Sequence, residues 1–169
     1  MNWEIWYQAA RAGNKNAILT FNDGSFLGGI TRPICPEHDY TSGEALVLVD
    51  GKIRLTTKPD GDLFMPEKAF VDNTECLYHV LLPIDGYWWH NLKEFPVWAN
   101  VPFDFSPGDD PSQMPSPIYP DQDIIRFVTD FTAVGGAVTL NANISQEGYL
   151  SQKTISQLRN LRNALDNNK

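Results

Sequence analysis

Three short runs in this sequence have the unbroken apolar character of strands buried on both faces: Ala17 to Phe21, Cys76 to Leu82 and Ala137 to Leu140. Strands of that kind belong to parallel sheets covered by helices. Three of them leave an open sheet with exposed edges and one uncovered apolar face, so something must cover that face. Every other reading of the chain is bounded by this shortage of strands.

The rest of the pattern supplies the helices. Asn2 is placed to cap a helix on which Trp3, Trp6, Ala9 and Ala10 recur at helical spacing, and Gly13-Asn14 ends it. Asp121 and Asp123 put negative charge at the start of a second helix, where the dipole favours it, with Ile124, Phe127, Val128, Phe131 and Val134 along one face and Gly135-Gly136 as its stop. Ser151 caps a last helix with Ile155, Leu158, Leu161 and Leu165 expected inward. From Gly24 to Asp72 glycines and prolines break every period, except where Leu46 to Val49 and Lys52 to Thr56 flank Asp50-Gly51, the pattern of a β-hairpin. Val97 to Phe105 reads as another extended segment, and the prolines at 107, 111, 115, 117 and 120 mark a loop. The order α-β-loop-β-loop-α-β-α is that of an α/β fold with long loops on the carboxyl side of its strands, where barrels place their sites.

Composition narrows the chemistry. The chain has 169 residues, 42% hydrophobic and 12% aromatic, enough for one globular unit with a real core. Its net charge of -8 and the absence of a Lys/Arg run argue against nucleic acid as partner, since phosphate contacts need a basic footprint. Cys35 and Cys76 have no CxxC spacing, and no phosphate loop, Ser elbow or His pair points to a metal or cofactor, so none is expected. There is no cationic-then-apolar leader in MNWEIWYQAARAG and no run of about eighteen apolar residues, so neither an export signal nor a membrane partner is read, and the compartment stays open. Asn143-Ile144-Ser145 matches a glycosylation sequon, a tripeptide that also arises by chance.

Two constellations carry chemistry. Glu37-His38-Asp39-Tyr40-Thr41-Ser42-Gly43-Glu44 puts three carboxylates and a histidine in one loop. Glycoside hydrolysis needs one carboxyl group as proton donor and another as nucleophile or base. Glu44 is the acid/base candidate and Glu37 its alternative, with His38 and Asp39 as substrate-binding candidates. The bland alternative is that these are solvated or backbone-capping charges, with His38 a hydrogen-bonded structural residue. The second group, Tyr87, Trp88, Trp89 and His90 with Phe95 and Trp98, mixes rings that stack on sugar C–H faces with groups that bond hydroxyls. Trp88, Trp89 and His90 are therefore substrate-binding candidates, the alternative being that some of these rings fill the core. Asp104, Asp109 and Asp110 read as solvated surface.

Three segments resemble the α-L-fucosidase family of glycoside hydrolases. Val134 to Ala142, Glu147 to Leu150 and the helix Ile155 to Leu165 look like that family's last barrel strand, its following turn and its closing helix. His38 to Glu44 resembles the segment whose glutamate is general acid/base in some members, which gives Glu44 that role by resemblance. Trp3 to Asn22 is similar to the helix and strand after the family's nucleophile strand. Glu147 stands where the family has Asp, and Ala142-Asn143 where it has Gly-Pro. The resemblance implies the C-terminal portion of an incomplete (β/α)8 (TIM) barrel, with a helix and strand over 1–23, an active-site loop with hairpin over 24–75, a strand and aromatic loop over 76–105, a Pro-rich loop over 106–120 and helix-strand-helix over 121–169. It implies a portion of a retaining exo-glycosidase, inactive alone because the nucleophile strand lies upstream. A carbohydrate is the expected ligand, and the N-terminal half of the barrel or a second copy of the chain the expected partner. A non-catalytic carbohydrate-binding or interaction module and a truncated gene product are the rival readings.

Overall fold

A computed structural model describes residues 2–22, 32–44, 47–49, 52–54, 65–85, 116–144 and 148–167. The elements in chain order are α1 (Trp3–Arg11), β1 (Gly43–Glu44), β2 (Val47–Val49), β3 (Lys52–Arg54), β4 (His79–Pro83), α2 (Asp121–Ala133), β5 (Ala137–Asn141) and α3 (Gln152–Asn167). The expected extended segment over 97–105 lies outside the described residues.

One sheet has the order β1-β4-β5, and β2 pairs with β3 in a second, two-stranded sheet, as the Asp50-Gly51 signal predicts. β1 runs parallel to β4, with Gly43 opposite Val80 and Glu44 opposite Leu81. Ala137 donates its N–H to the Tyr78 carbonyl at 2.9 Å and Ile84 donates to the Asn141 carbonyl at 3.0 Å. These bonds advance in the same direction along both strands, so β5 is also parallel to β4. Spatial order therefore follows chain order, with α2 in the crossover from β4 to β5.

The first expected strand is not where the apolar run put it. Residues 17–21 form no strand, and Ile18 is 72% exposed. The place beside β4 belongs instead to Tyr40–Glu44, read from sequence as loop. The reason is a side chain: Thr41 Oγ1 donates to the His79 carbonyl at 2.7 Å and accepts from the His79 N–H at 2.8 Å. That clamp adds to an isolated parallel bridge from Tyr40 to Leu77 and fixes the register that β1 continues. The run 17–21 is held by backbone bonds from Ala17 N–H to the Asn14 carbonyl at 3.1 Å and from Asp39 N–H to the Leu19 carbonyl at 3.0 Å.

Backbone contacts sort the chain into two compact units, one of residues 1–48, 54–81 and 130–139 and another of 49–53, 82–129 and 140–169. The first buries Tyr7, Cys35, Val71, Cys76, Tyr78, Val80 and Phe131. Within it the Asn2 side chain accepts from Ile5 N–H at 3.3 Å, as its capping position predicts. The inward residue of α1 is Tyr7, not Trp6, which is 58% exposed. Tyr7 wins because its hydroxyl has a partner, donating to the Leu19 carbonyl at 2.7 Å, while its ring meets Phe21 edge-on. At the end of α2, Gly135 adopts φ 89° against Ala69, a place where a Cβ would lie 2.9 Å from the Ala69 Cβ.

The second unit buries Leu82, Ile84, Tyr119, Ile124, Phe127, Val128 and Leu161. The inward stripe of α3 is Thr154, Gln157 and Leu161, whereas the expected Ile155, Leu158 and Leu165 are half-buried. Two of the three inward residues are polar because they face acceptors: Thr154 donates to Asp85, and Gln157 donates to the Tyr119 carbonyl and to Asp121. Ser151 caps α3 as expected, accepting from Lys153 N–H at 3.3 Å.

Candidate functional site

The acid-rich loop is built from the inside of the first unit outward. Asp39 accepts from Leu19 N–H at 2.6 Å and from Arg11 Nη2 at 2.8 and 2.6 Å, with the Tyr7 hydroxyl, which donates to the Leu19 carbonyl, 3.5 Å away. Burial pushes its carboxyl up, but the Leu19 N–H and the Arg11 guanidinium outweigh that and hold it below its ordinary value. Asp39 is thus an ionised brace joining α1, the 17–21 segment and the loop.

His38, only 3% exposed, is a second brace. Its Nε2 accepts from Phe21 N–H at 3.1 Å, so the ring proton sits on Nδ1, 3.4 Å from Thr20 Oγ1. Burial lowers its pKa, keeping the ring neutral. The observed partners of His38 and Asp39, both expected as substrate-binding residues, all lie within the fold. Glu37 is half-buried next to Cys35, whose thiol is pushed up first by burial and then by the hydrogen bond to Glu37. Burial pushes the Cys76 thiol up to about 11, and both cysteines are free, so neither has the thiolate character that reactivity requires.

Glu44 is the last residue of β1 and holds the register position opposite Leu81, at the carboxyl end of the parallel sheet. The two faces of that sheet differ. On β4, Val80 and Leu82 are 0% exposed, while His79 and Leu81 on the alternate face are half-buried.

The more open face of β4 holds His79, which sits inside the otherwise apolar run Cys76 to Leu82. His79 Nδ1 lies 3.0 Å from the Thr41 carbonyl, which can only accept, so Nδ1 carries the proton. Nε2 then accepts from the exposed Thr139 hydroxyl at 2.8 Å. The Tyr40 ring stands edge-on at 4.9 Å. Burial lowers the His79 pKa against the opposing Thr41 bond, leaving a neutral imidazole of fixed tautomer. The one signal for it in sequence is a histidine inside a strand, which period alone does not interpret.

Asp85 follows β4 in the second unit. It is 1% exposed and accepts from Asn143 N–H at 2.6 Å and from Thr154 Oγ1 at 2.7 Å. Burial pushes its carboxyl up, and the two bonds pull against burial without cancelling it. Inaccessibility makes it a brace that joins the segment after β5 to the first turn of α3. Asn143, 4% exposed, is buried in the segment after β5.

Trp88, Trp89 and His90, with Tyr87, Phe95 and Trp98, lie outside the described residues, as do Asp104, Asp109 and Asp110. Among the described residues no group of three or more His, Cys, Asp or Glu is placed to hold a metal ion, and no helix is long and apolar enough to cross a membrane. No protein-family model, curated protein or solved structure matches the chain.

Proposed function

We propose that this chain is a portion of a retaining exo-glycosidase of α-L-fucosidase type, the C-terminal portion of an incomplete (β/α)8 barrel, with Glu44 as its acid/base residue. The observation that carries the reading is the position of Glu44: it ends β1 at the carboxyl edge of a parallel sheet, in register opposite Leu81 of β4. Barrel enzymes gather catalytic groups at that edge, on strands that follow one another in chain order, and β1-β4-β5 has that order.

In this reading the carboxylic acid of Glu44 protonates the glycosidic oxygen as a carboxylate nucleophile attacks the anomeric carbon, and the Glu44 carboxylate then takes a proton from the water that releases the sugar. Retention requires the two carboxyl groups about 5–5.5 Å apart. The nucleophile belongs to a strand outside these residues, contributed by the N-terminal half of the barrel, and the Trp88-Trp89-His90 segment supplies a sugar-stacking platform. The chain alone binds sugar without turning it over.

A second reading, a non-catalytic carbohydrate-binding module, is favoured by the engagement of His38 and Asp39 in the fold, which removes two polar groups from the loop's chemistry. Quenching of tryptophan fluorescence by L-fucose, measured on the chain and on Glu44→Gln, separates the two. The glycosidase reading expects quenching that Glu44→Gln weakens by about tenfold, the worth of one charge-assisted hydrogen bond, and no release of aryl alcohol from an aryl α-L-fucoside. Quenching indifferent to Glu44→Gln selects the binding module. Absence of quenching refutes both, and vigorous hydrolysis by the chain alone refutes the missing nucleophile.

A further inference from the structure

In the second unit, where the segment leading into α2 meets the first turns of α3, an open cavity of about 450 Å³ is lined by Pro117, Tyr119, Asp121 and Gln157 and by the exposed Lys153 and Ser156. Small-molecule sites occupy roughly 300–1,000 Å³.

Gln157 is the cavity's buried polar residue, at 3% exposure. Its amide cannot be turned over: Nε2 donates to the Tyr119 carbonyl at 2.7 Å and to Asp121 Oδ1 at 3.0 Å, and both of these only accept. Oε1 is therefore fixed as the remaining atom, and it is buried with no donor among the described residues. A buried amide oxygen in that condition carries a penalty that an incoming donor relieves.

We infer that this cavity binds a neutral polyhydroxy molecule of monosaccharide size, one hydroxyl of which donates to Gln157 Oε1. The charges of the lining choose that class. An anion would face the Asp121 carboxylate, which the Asn160 and Gln157 amides hold in its ionised form, and would have nothing to donate to Oε1. A cation would meet Lys153, whose Nζ donates to Ser116 Oγ at 2.9 Å, and the positive end of α3. A hydroxyl both donates and accepts, so it can serve Oε1, Asp121 and Lys153 alike. Pro117 and Tyr119 add apolar surface for the C–H face of a ring. Oε1 has no solvent-accessible surface, so binding requires a lining side chain to move aside, and Lys153 and Ser156 are the exposed ones. The site requires nothing of Glu44.

The test is a nuclear magnetic resonance titration of the whole chain with myo-inositol. Saturable shifts are expected at the Gln157 side-chain amide and at the backbone amides of Lys153 and Ser156, with half-saturation in the millimolar range. Ser156→Trp, which fills the cavity from an exposed position, is expected to weaken binding by at least about tenfold with the melting temperature unchanged. Lys153→Met, which removes only a donor, gives a smaller loss in the same direction. Sulfate and ethylenediammonium serve as charged controls and are expected to produce no saturation at these amides. No saturable shift with myo-inositol, saturation by either charged control instead, or affinity unchanged in both variants would overturn the inference. Because the shifts are read at α3, the outcome is separate from the fate of the Glu44 proposal.

Discussion

Replacing Asp85 by alanine leaves the Asn143 N–H and the Thr154 hydroxyl without their buried acceptor. Each unsatisfied donor costs about 1–3 kcal/mol, and the hydroxyl regains part of its loss by rotating, so Asp85→Ala is expected to lose about 3–4 kcal/mol. Asp85→Asn keeps the shape: its amide oxygen still accepts from Asn143, the Thr154 hydroxyl turns to accept from the amide nitrogen, and the cost falls to about 1 kcal/mol at neutral pH. The pH dependence separates a buried carboxyl from a solvated one. Burial raises the folded-state pKa of Asp85 above its unfolded value of about 3.9, so the folded chain holds that proton more tightly. The stability it contributes is complete below the unfolded value and is lost as pH rises through the folded one. The advantage of the native chain over Asp85→Asn should therefore widen as pH falls from 7 to 4. Urea unfolding followed by tryptophan fluorescence at both pH values measures it. A difference that is flat, or that widens as pH rises, would refute the assignment of Asp85 as a carboxyl strained by burial.

Asp39→Asn is expected to cost about 1–2 kcal/mol, the lower end for a charge-assisted brace because both partners are 33% exposed. Asp39 titrates below its ordinary value, so its contribution is present above the unfolded pKa and fades as pH falls through the folded one; urea midpoints from pH 6 to 3 should show native chain and variant converging. Gly135→Ala meets a backbone at φ 89° and the Ala69 Cβ at 2.9 Å, and is expected to lower stability by about 1–3 kcal/mol in thermal unfolding. Cys35 and Cys76, both buried with raised pKa, should react with an aromatic disulfide reagent only on unfolding; fast labelling of the native chain would contradict their placement.

Much of the fold was legible where one signal decided the outcome. The pairing of the two runs that flank Asp50-Gly51, the Asn2 and Ser151 caps and the apolar face of α2 depend on local chemistry, and the structure bears them out. The failures share a cause: an apolar run announces burial without naming its neighbour. The place beside β4 went to 40–44, held there by two Thr41 hydrogen bonds that no pattern of hydrophobicity records, while 17–21 lies against Asp39. On α3 the spacing of leucine and isoleucine pointed inward, yet Thr154 and Gln157 took that face because buried acceptors waited there. For the candidate site, Glu44 was found as a carboxylate in a loop, but its place on a strand beside β4 was not. His79 and Asp85 were missed because their partners lie 38 to 69 residues away in sequence.

Calorimetric titration with a fucose-configured iminosugar, whose ring ammonium seeks a carboxylate, tests the central claim most directly. If Glu44 serves the sugar, the native chain binds it and Glu44→Gln binds at least about tenfold more weakly at equal stability, the loss of one ionic hydrogen bond. Equal heats and equal affinities from the two proteins would contradict the role given to Glu44.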